Sequence, residues 1–212
     1  TNLSLINDDI LNIDLYKYKK STKVIGNLPY YITSPIIFKT LENKHLKKLI
    51  FMVQKEVAER ISSKPKSKNY SRISVMIQTF CNIELKYNIS KNVFYPKPKV
   101  DSCIIKLNKK ETNFDLREYS NFIKAAFRQK RKKIKNNLNG IINEEGLKIL
   151  GNRRPQDIYI EEYINIFQNY MPDNICFGCG KNTKNGLHIK SYWNGKEAEC
   201  VWFPTPYHQG GS

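Results

Sequence analysis

Two short apolar runs, each followed by a segment with helical periodicity, constrain the fold of this chain most strongly. Residues 23–26 form a β-branched run that ends in Gly26. After a short loop, a helix is expected with Ser34 as its N-cap and Pro35 at its first position. Residues 49–53 are continuously apolar, which favours a buried parallel strand, and residues 54–61 continue with helical spacing. This alternation of strand and helix predicts an α/β sheet.

The hydrophobic period changes farther along the chain. Residues 73–80 carry one apolar stripe at helical spacing, whereas residues 83–89 and 103–107 alternate apolar with polar side chains, as strands do. Between these two predicted strands, Pro96 and Pro98 keep the backbone extended and exclude a helix. We therefore expect the α/β sheet to finish in an antiparallel pair of strands.

The charge of the chain favours a polyanionic partner. Its 212 residues include 36 lysines and arginines against 19 acidic residues, a formal net charge of +17. Nucleic acid is the first candidate, although AT-rich coding also raises lysine content without creating a binding face. No stretch approaches the roughly 18 apolar residues of a membrane span, and the first ten residues lack a signal-peptide pattern. We expect a cytoplasmic protein without a membrane partner.

Strand signals disappear between residues 113 and 170, where we predict a small helical domain. Ile123, Phe127, Ile134 and Leu138 are expected to form one apolar face of a helix. The same stretch is densely cationic, and we interpret it as a basic helix that contacts RNA phosphates. A solvated face of a lysine-rich protein is the simpler alternative, but it explains this density poorly. The predicted RNA-binding residues are Lys124, Arg128, Lys130, Arg131, Lys132 and Lys133, with Lys135 in the same cluster.

The loop at Asn27, Leu28, Pro29 and Tyr30 follows a strand and precedes a helix, where open α/β sheets bind ligands. Methylation of an exocyclic amine is favoured when two acceptors hold its N–H groups, because the nitrogen then becomes more pyramidal and more nucleophilic. The Asn27 side-chain oxygen and a backbone carbonyl of Leu28 or Pro29 could supply these acceptors, and Tyr30 offers a ring to a flipped base. Taken alone, the four residues fit better to a turn with a buried tyrosine.

Four segments occur together in an order that changes this interpretation: GNLPYYITSP at 26–35, FMVQKEVAER at 51–60, FYPKPKVDS at 94–102 and AFRQKRK at 126–132. In these segments the chain resembles the KsgA family of ribosomal RNA adenine N6-dimethyltransferases, over residues 3–171. The resemblance implies a Rossmann-like methyltransferase sheet whose first strands are missing, followed by a small all-α domain. We expect domains at 1–112 and 113–171, with an incomplete third segment at 172–212.

The resemblance also implies a reaction and its site. Methyl groups would pass from S-adenosylmethionine to N6 of adenosines in a hairpin of small-subunit ribosomal RNA during ribosome biogenesis, without a metal, in a monomer. Asn27, Leu28, Pro29 and Tyr30 would hold the target amine, and Asn27 would also border the cofactor. Phe94 would stack on the target adenine. Asp9 matches the acidic residue that contacts the cofactor adenine, although the adjacent Asp8 leaves that assignment uncertain by one residue, and a solvated loop acid or cap is the alternative.

The chain departs from the family pattern at one point. Family members carry a Gly-rich loop after their first strand and then an acidic residue that holds the cofactor ribose, and residues 1–8 contain no such pair. We therefore expect these 212 residues to bind S-adenosylmethionine weakly or not at all and to be inactive by themselves. A non-catalytic RNA-binding or ribosome-assembly module is the alternative function.

The last forty residues change in composition. Cys176 and Cys179 have the spacing of half a zinc site, but the completing ligands would be irregularly spaced, so we expect no metal and keep this pair as the alternative. The five cysteines and the lack of a secretory signal favour reduced thiols. Residues 192–203 look β-rich, and the segment resembles the beginning of a hotdog-fold thioesterase-like protein without that family's central helix.

Overall fold

Four strands form a mixed sheet in the computed structural model, which describes residues 3–18, 22–172, 187–193 and 196–203. The chain divides into two units, Thr1–Asn113 and Phe114–Ser212, and this sheet lies in the first. Its spatial order is β1, β2, β4, β3, with β1 parallel to β2 and antiparallel pairing elsewhere. The strands are β1 (Lys23–Asn27), β2 (Lys48–Gln54), β3 (Cys81–Ile89) and β4 (Ser102–Lys109). The predicted α/β sheet with an antiparallel end is confirmed, and the three-domain division stays a prediction.

Three helices connect these strands: α1 (Thr33–Glu42), α2 (Lys55–Ile61) and α3 (Arg72–Phe80). The expected start of α1 is wrong by two residues, because Ile32 occupies the N-cap and Ser34 lies inside the helix. A single 3-10 turn, Tyr30–Ile32, leads directly into the helix. The Thr33 hydroxyl donates to the Pro29 carbonyl oxygen at 3.0 Å, so a bond back to the turn replaces a serine cap.

The sheet buries one face against its helices. Val53, Phe51 and Leu49 of β2 lie opposite Cys103, Ile105 and Leu107 of β4, and all six are at most 2% exposed. Full burial of one such aliphatic or aromatic side chain stabilises a fold by about 1.5–3 kcal/mol. The alternate residues of β2 are only partly buried. The continuous apolar run predicts a strand that is buried on both faces. Strand β2 is fully buried on one face only.

The edge strand β3 differs from the one-sided pattern expected of it. Leu85 and Tyr87 are 49% and 70% exposed, and the register with β4 shifts between them. Glu84 forms ion pairs with Lys86 and with Lys106, the latter at 2.9 Å, and these hydrogen bonds lower its pKa to about 2. Charged side chains on an exposed edge discourage pairing with another chain.

Four helices of the second unit surround an aromatic core. They are α4 (Leu116–Ala126), α5 (Ile134–Leu138), α6 (Glu144–Leu150) and α7 (Ile160–Asn169), so the predicted helical domain is confirmed in type. The fully buried rings of Tyr119, Phe122 and Tyr163 pack together, and the Tyr163 hydroxyl donates to the Pro155 carbonyl at 2.7 Å. Farther along, β5 (Leu187–Trp193) and β6 (Lys196–Phe203) pair antiparallel, which agrees with the β-rich pattern.

Lys109, the last residue of β4, closes the C-terminal end of α1. Its ammonium group donates to the carbonyl oxygens of Thr40 at 3.1 Å, Leu41 at 2.7 Å and Asn43 at 2.6 Å. Burial lowers the pKa of Lys109 to about 8, so the group is mainly protonated at pH 7. A cation at this position satisfies carbonyls that the helix leaves without partners and complements the helix dipole.

We expect Lys109→Met to lower the free energy of unfolding by about 2 kcal/mol at pH 7, because partly buried carbonyls lose a charged donor. Urea denaturation followed by circular dichroism measures this change. Lys48→Met, at an exposed position of β2, is the matched control and should change stability by less than about 0.5 kcal/mol. Equal stability of the two variants would contradict the role given to Lys109.

Candidate active site

Asn27, the last residue of β1, is exposed, and the loop that follows begins with the anchored Leu28. The Leu28 N–H donates to the Met52 carbonyl at 3.1 Å, which extends the pairing with β2 by one residue. Leu28 is 6% exposed, whereas Asn27 is exposed and its side chain forms no hydrogen bond within the described residues. A Cβ at Gly26 would lie only 3.1 Å from the Leu28 side chain. Glycine therefore leaves the room that Leu28 needs to be buried while Asn27 points outward.

The backbone carbonyls of this loop are not equivalent. The Pro29 carbonyl accepts from the Ile32 N–H at 3.2 Å and from the Thr33 hydroxyl at 3.0 Å, so both of its lone pairs are used. The Leu28 carbonyl accepts no hydrogen bond from any residue that the structure describes. The sequence did not decide whether the Leu28 or the Pro29 carbonyl would accept from a ligand. The Leu28 carbonyl is the one that is able to do so.

Tyr30 and Phe94 belong to two segments that are both held at the start of β4. The Tyr30 hydroxyl lies 3.4 Å from Oγ of the buried Ser102, and Tyr30 is 41% exposed. The Asp101 carboxylate accepts from the Lys91 N–H at 2.9 Å, which holds the 3-10 turn Lys91–Val93 immediately before the half-buried Phe94. Asp101, immediately before β4, and Ser102, its first residue, thus hold the two aromatic segments.

Asp9 caps its own turn. Its Oδ1 accepts from the Leu11 N–H at 2.9 Å, which matches the alternative of a loop cap, and its side chain is exposed. Its other carboxylate oxygen forms no hydrogen bond within the described part of the chain and could still accept from an adenine amino group. Lys39 of α1 donates to the Leu11 carbonyl at 2.5 Å, and Asn43 donates to that of Leu15. These bonds hold the segment that contains the Asp9 turn against α1, the helix that follows Asn27 in the chain.

The described residues fit one end of S-adenosylmethionine. Asp9 has an acceptor for the adenine amino group, as the resemblance implies. The glycines of the described ranges, Gly26, Gly140, Gly146 and Gly151, form no Gly-rich turn between a strand and a helix that could approach the rest of the molecule.

The predicted basic helix is wrong, because its cations lie mainly in a loop. Helix α4 ends at Ala126 and α5 begins at Ile134, so Phe127 and Ile134 belong to different structural segments. A continuous helix would stack Arg128 against Arg131 and Lys132 at like-charged i,i+3 and i,i+4 positions, which is unfavourable. We name this connection the basic loop; its cations Arg128, Lys130, Arg131, Lys132 and Lys133 are all exposed, as is Lys124 on α4.

Asn137 of α5 holds the basic loop in place. Its side chain is 2% exposed, and its Nδ2 donates to the carbonyls of Ala126 at 2.7 Å and Gln129 at 3.2 Å. The Ile134 N–H donates to the Arg153 carbonyl at 2.8 Å and fixes the other end. A buried amide therefore organises a surface that carries only positive charge.

Sequence reasoning missed Asp101, Ser102 and Asn137 as contributors to the site. Asp101 and Ser102 lie within a segment that carried the resemblance, but nothing in their spacing indicates which loops they contact. Asn137 follows another asparagine, Asn136, and only the structure distinguishes the buried amide from the exposed one.

Two cysteines of the sheet, Cys81 and Cys103, have buried thiols. Both are free, and burial raises the pKa of the Cys81 thiol to about 12, which makes it unreactive. No group of three metal-ligating side chains occurs among the residues that the structure describes. Cys176 and Cys179 lie outside those residues, so the zinc alternative stays a prediction. No helix of the described ranges is long and apolar enough to cross a membrane.

Comparison with known proteins agrees with this geometry. The family model described as ribosomal RNA adenine dimethylase matches residues 1–171. The chain belongs to this family. The resemblance seen in the four sequence segments is therefore confirmed, whereas the likeness of the last forty residues to a hotdog protein stays a prediction.

Curated relatives are identical to this chain at about two fifths of the aligned positions. The ribosomal RNA small subunit methyltransferase A of Mycoplasma capricolum is 42% identical over 187 residues, covering 79% of this chain and 70% of the relative. The protein of the same name from Chlorobium phaeobacteroides is 37% identical over 176 residues, covering 80% and 65% respectively. The chain thus spans about two thirds of the length of these relatives.

Two solved structures have a similar fold. A dimethyladenosine transferase from Plasmodium falciparum superposes with a TM-score of 0.64 at 27% identity, over 76% of this chain and 69% of that one. The 23S rRNA methyltransferase ErmE superposes with a TM-score of 0.52 at 23% identity, which shows the fold alone. The Rossmann-like methyltransferase fold is confirmed, and the comparisons support ribosomal RNA adenine dimethylation rather than a non-catalytic module.

We expect Asn137→Ala to loosen the basic loop, because the carbonyls of Ala126 and Gln129 lose their shared donor. Amide hydrogen exchange at Arg128 and Lys132, whose N–H groups are bonded to Ala125 and Gln129 at 3.0 and 3.1 Å, should become at least about tenfold faster. The exposed neighbour Asn136 provides the control Asn136→Ala, which should leave both amides protected. Unchanged exchange in Asn137→Ala would show that the loop is held by other contacts.

Proposed function

We propose that this chain carries the target-base site and the RNA-binding unit of an S-adenosylmethionine-dependent dimethyltransferase. Its substrates would be adenosines in a hairpin of small-subunit ribosomal RNA, methylated twice at N6 during ribosome biogenesis. The exposed Asn27 amide next to the unoccupied Leu28 carbonyl carries this proposal, because the two supply paired acceptors at a position where the family binds its target. Asn27, Leu28, Pro29, Tyr30 and Phe94 have the catalytic roles.

The paired acceptors activate the amine. The Asn27 side-chain oxygen and the Leu28 carbonyl each accept one N–H of the adenine amino group, which withdraws the nitrogen lone pair from the ring. Because Leu28 is buried and hydrogen-bonded to β2, its carbonyl is fixed before the base arrives. Pro29 and the Thr33 hydroxyl hold the turn that sets the angle between the two acceptors.

The aromatic residues orient the base. A flipped adenine would lie between the rings of Tyr30 and Phe94, whose segments are both fixed by Ser102 and Asp101. S-adenosylmethionine supplies a methyl group already activated by the sulfonium, so no metal is required. Asp9 would hold the adenine of that donor. The contribution of the protein is then mainly positioning of the amine in line with the methyl group.

The basic loop would position the RNA independently of its sequence. Five adjacent exposed cations suit phosphate contacts along a hairpin stem. We also propose that the protein is monomeric, acts in the cytoplasm and has no membrane partner, as expected from the sequence. An RNA-binding module without catalysis is the second candidate, and no contact in the structure favours it over the enzyme.

We expect Asn27→Ala to reduce methyl transfer by about 100-fold or more, because removal of one preorganised hydrogen-bond partner of a reacting group has an effect of this size. RNA affinity should change less than about twofold, since Asn27 contacts the base amine rather than phosphates. The assay follows transfer of labelled methyl groups to small ribosomal subunits by the chain extended at its amino end with the Gly-rich segment of a curated relative.

Asn82→Ala, at an exposed position of β3, is the matched control and should retain full activity. Equal rates for Asn27→Ala and the parent would refute the assignment of the target site. No transfer by the extended parent, together with intact RNA binding, would support the non-catalytic alternative.

We expect replacement of Arg128, Arg131 and Lys132 by glutamine to weaken RNA binding and to flatten its dependence on salt. Each lost phosphate contact should reduce the log–log slope by about 0.7–0.9. The control with the same change in net charge replaces the exposed Lys44, Lys48 and Lys148. If both triple variants show the same slope, net charge rather than the basic loop determines binding.

A further inference from the structure

Two tyrosine rings beside the candidate site project into solvent. Tyr95 is 101% exposed and Tyr31 is 85% exposed. Each immediately follows a residue assigned to the target base, because Tyr31 follows Tyr30 and Tyr95 follows Phe94. Activation and orientation of the target amine use neither of these two rings.

The two rings belong to segments that are fixed at one place in the sheet. Ser102 lies 3.4 Å from the Tyr30 hydroxyl, and its neighbour Asp101 accepts from the Lys91 N–H before Phe94. The Asp101 carbonyl also accepts from the Lys55 N–H at 3.0 Å, where β2 meets α2. Tyr30, the neighbour of Tyr31, and the turn before Phe94 and Tyr95 therefore both contact the start of β4, although both rings are solvated.

The charge around Tyr95 suits a polyanion. Lys97 and Lys99 are exposed on the same segment. Residues 90–101 contain a single acidic residue, Asp101. One oxygen of its carboxylate already accepts from the Lys91 N–H. Exposed aromatic rings interleaved with lysines are typical of surfaces that bind unpaired nucleotides, where bases stack on rings and cations contact phosphates.

Extrusion of a base also unstacks its neighbours at the mouth of the pocket. We propose that Tyr31 and Tyr95 bind the nucleotides on either side of the target adenosine by stacking on their bases, while Lys97 and Lys99 contact the adjoining phosphates. This inference rests on the proposed function and adds the flanking unpaired nucleotides to its substrate. Because stacking tolerates any base, the subsite would add affinity for unpaired RNA without reading its sequence.

The test measures binding of the 212-residue chain to a fluorescein-labelled RNA hairpin with a loop of unpaired adenosines. Tyr31→Ala and Tyr95→Ala should each raise Kd by about 5- to 150-fold, since stacking of one base is worth about 1–3 kcal/mol. Tyr31→Phe and Tyr95→Phe should stay within about twofold of the parent, because the ring is retained. Tyr87→Ala, at a 70% exposed position of β3, should also bind like the parent.

A second arm uses hairpins in which one loop nucleotide beside the central adenosine lacks its base. Loss of that base should weaken binding by the parent but not by the alanine variant of the ring that stacks on it. Unchanged Kd for both alanine variants, or equal abasic effects in parent and variants, would overturn this inference and leave the proposed function intact. Failure of the parent to bind the hairpin would overturn both.

Discussion

The pairing of β4 with β2 on one side and β3 on the other is the constraint on which the first unit depends. Strand β4 supplies half of the buried face of the sheet through Cys103, Ile105 and Leu107. Its first residue, Ser102, contacts Tyr30, and its last residue, Lys109, closes α1. One strand therefore joins the hydrophobic core, the helix that follows the target loop, and the aromatic residue of that loop.

Much of this fold could be predicted from the sequence, because strand and helix periods are local properties. The strands at residues 23–27, 48–54, 81–89 and 102–109 and the helices between them follow the hydrophobic pattern. The start of α1 could not be predicted, since it depends on the 3-10 turn at Tyr30–Ile32. The basic helix was predicted because Ile123, Phe127, Ile134 and Leu138 have helical spacing, although α4 ends at Ala126, before the second of them, and α5 begins at the third.

The residues of the candidate site could be proposed from the sequence, whereas their arrangement could not. The resemblance indicated Asn27, Tyr30 and Phe94, but whether Leu28 or Pro29 offers the free carbonyl depends on hydrogen bonds within the turn that follows them. The Pro29 oxygen is used by Thr33 and Ile32. No periodicity reports such occupancy. The same holds for Asn137, whose importance comes from burial against two carbonyls.

The non-sequential strand order also has a consequence for synthesis of the protein. Strand β2 pairs with β1 early, but its other edge meets β4, which begins about 50 residues later in the chain. On a translating ribosome, the β2 edge and all of β3 would wait without partners until Lys109 has left the exit tunnel. Exposed strand edges of this kind attract chaperones and aggregate when translation pauses. Slow codons that hold β4 inside the tunnel would therefore reduce the yield of folded protein more than slow codons translated after β4 has emerged.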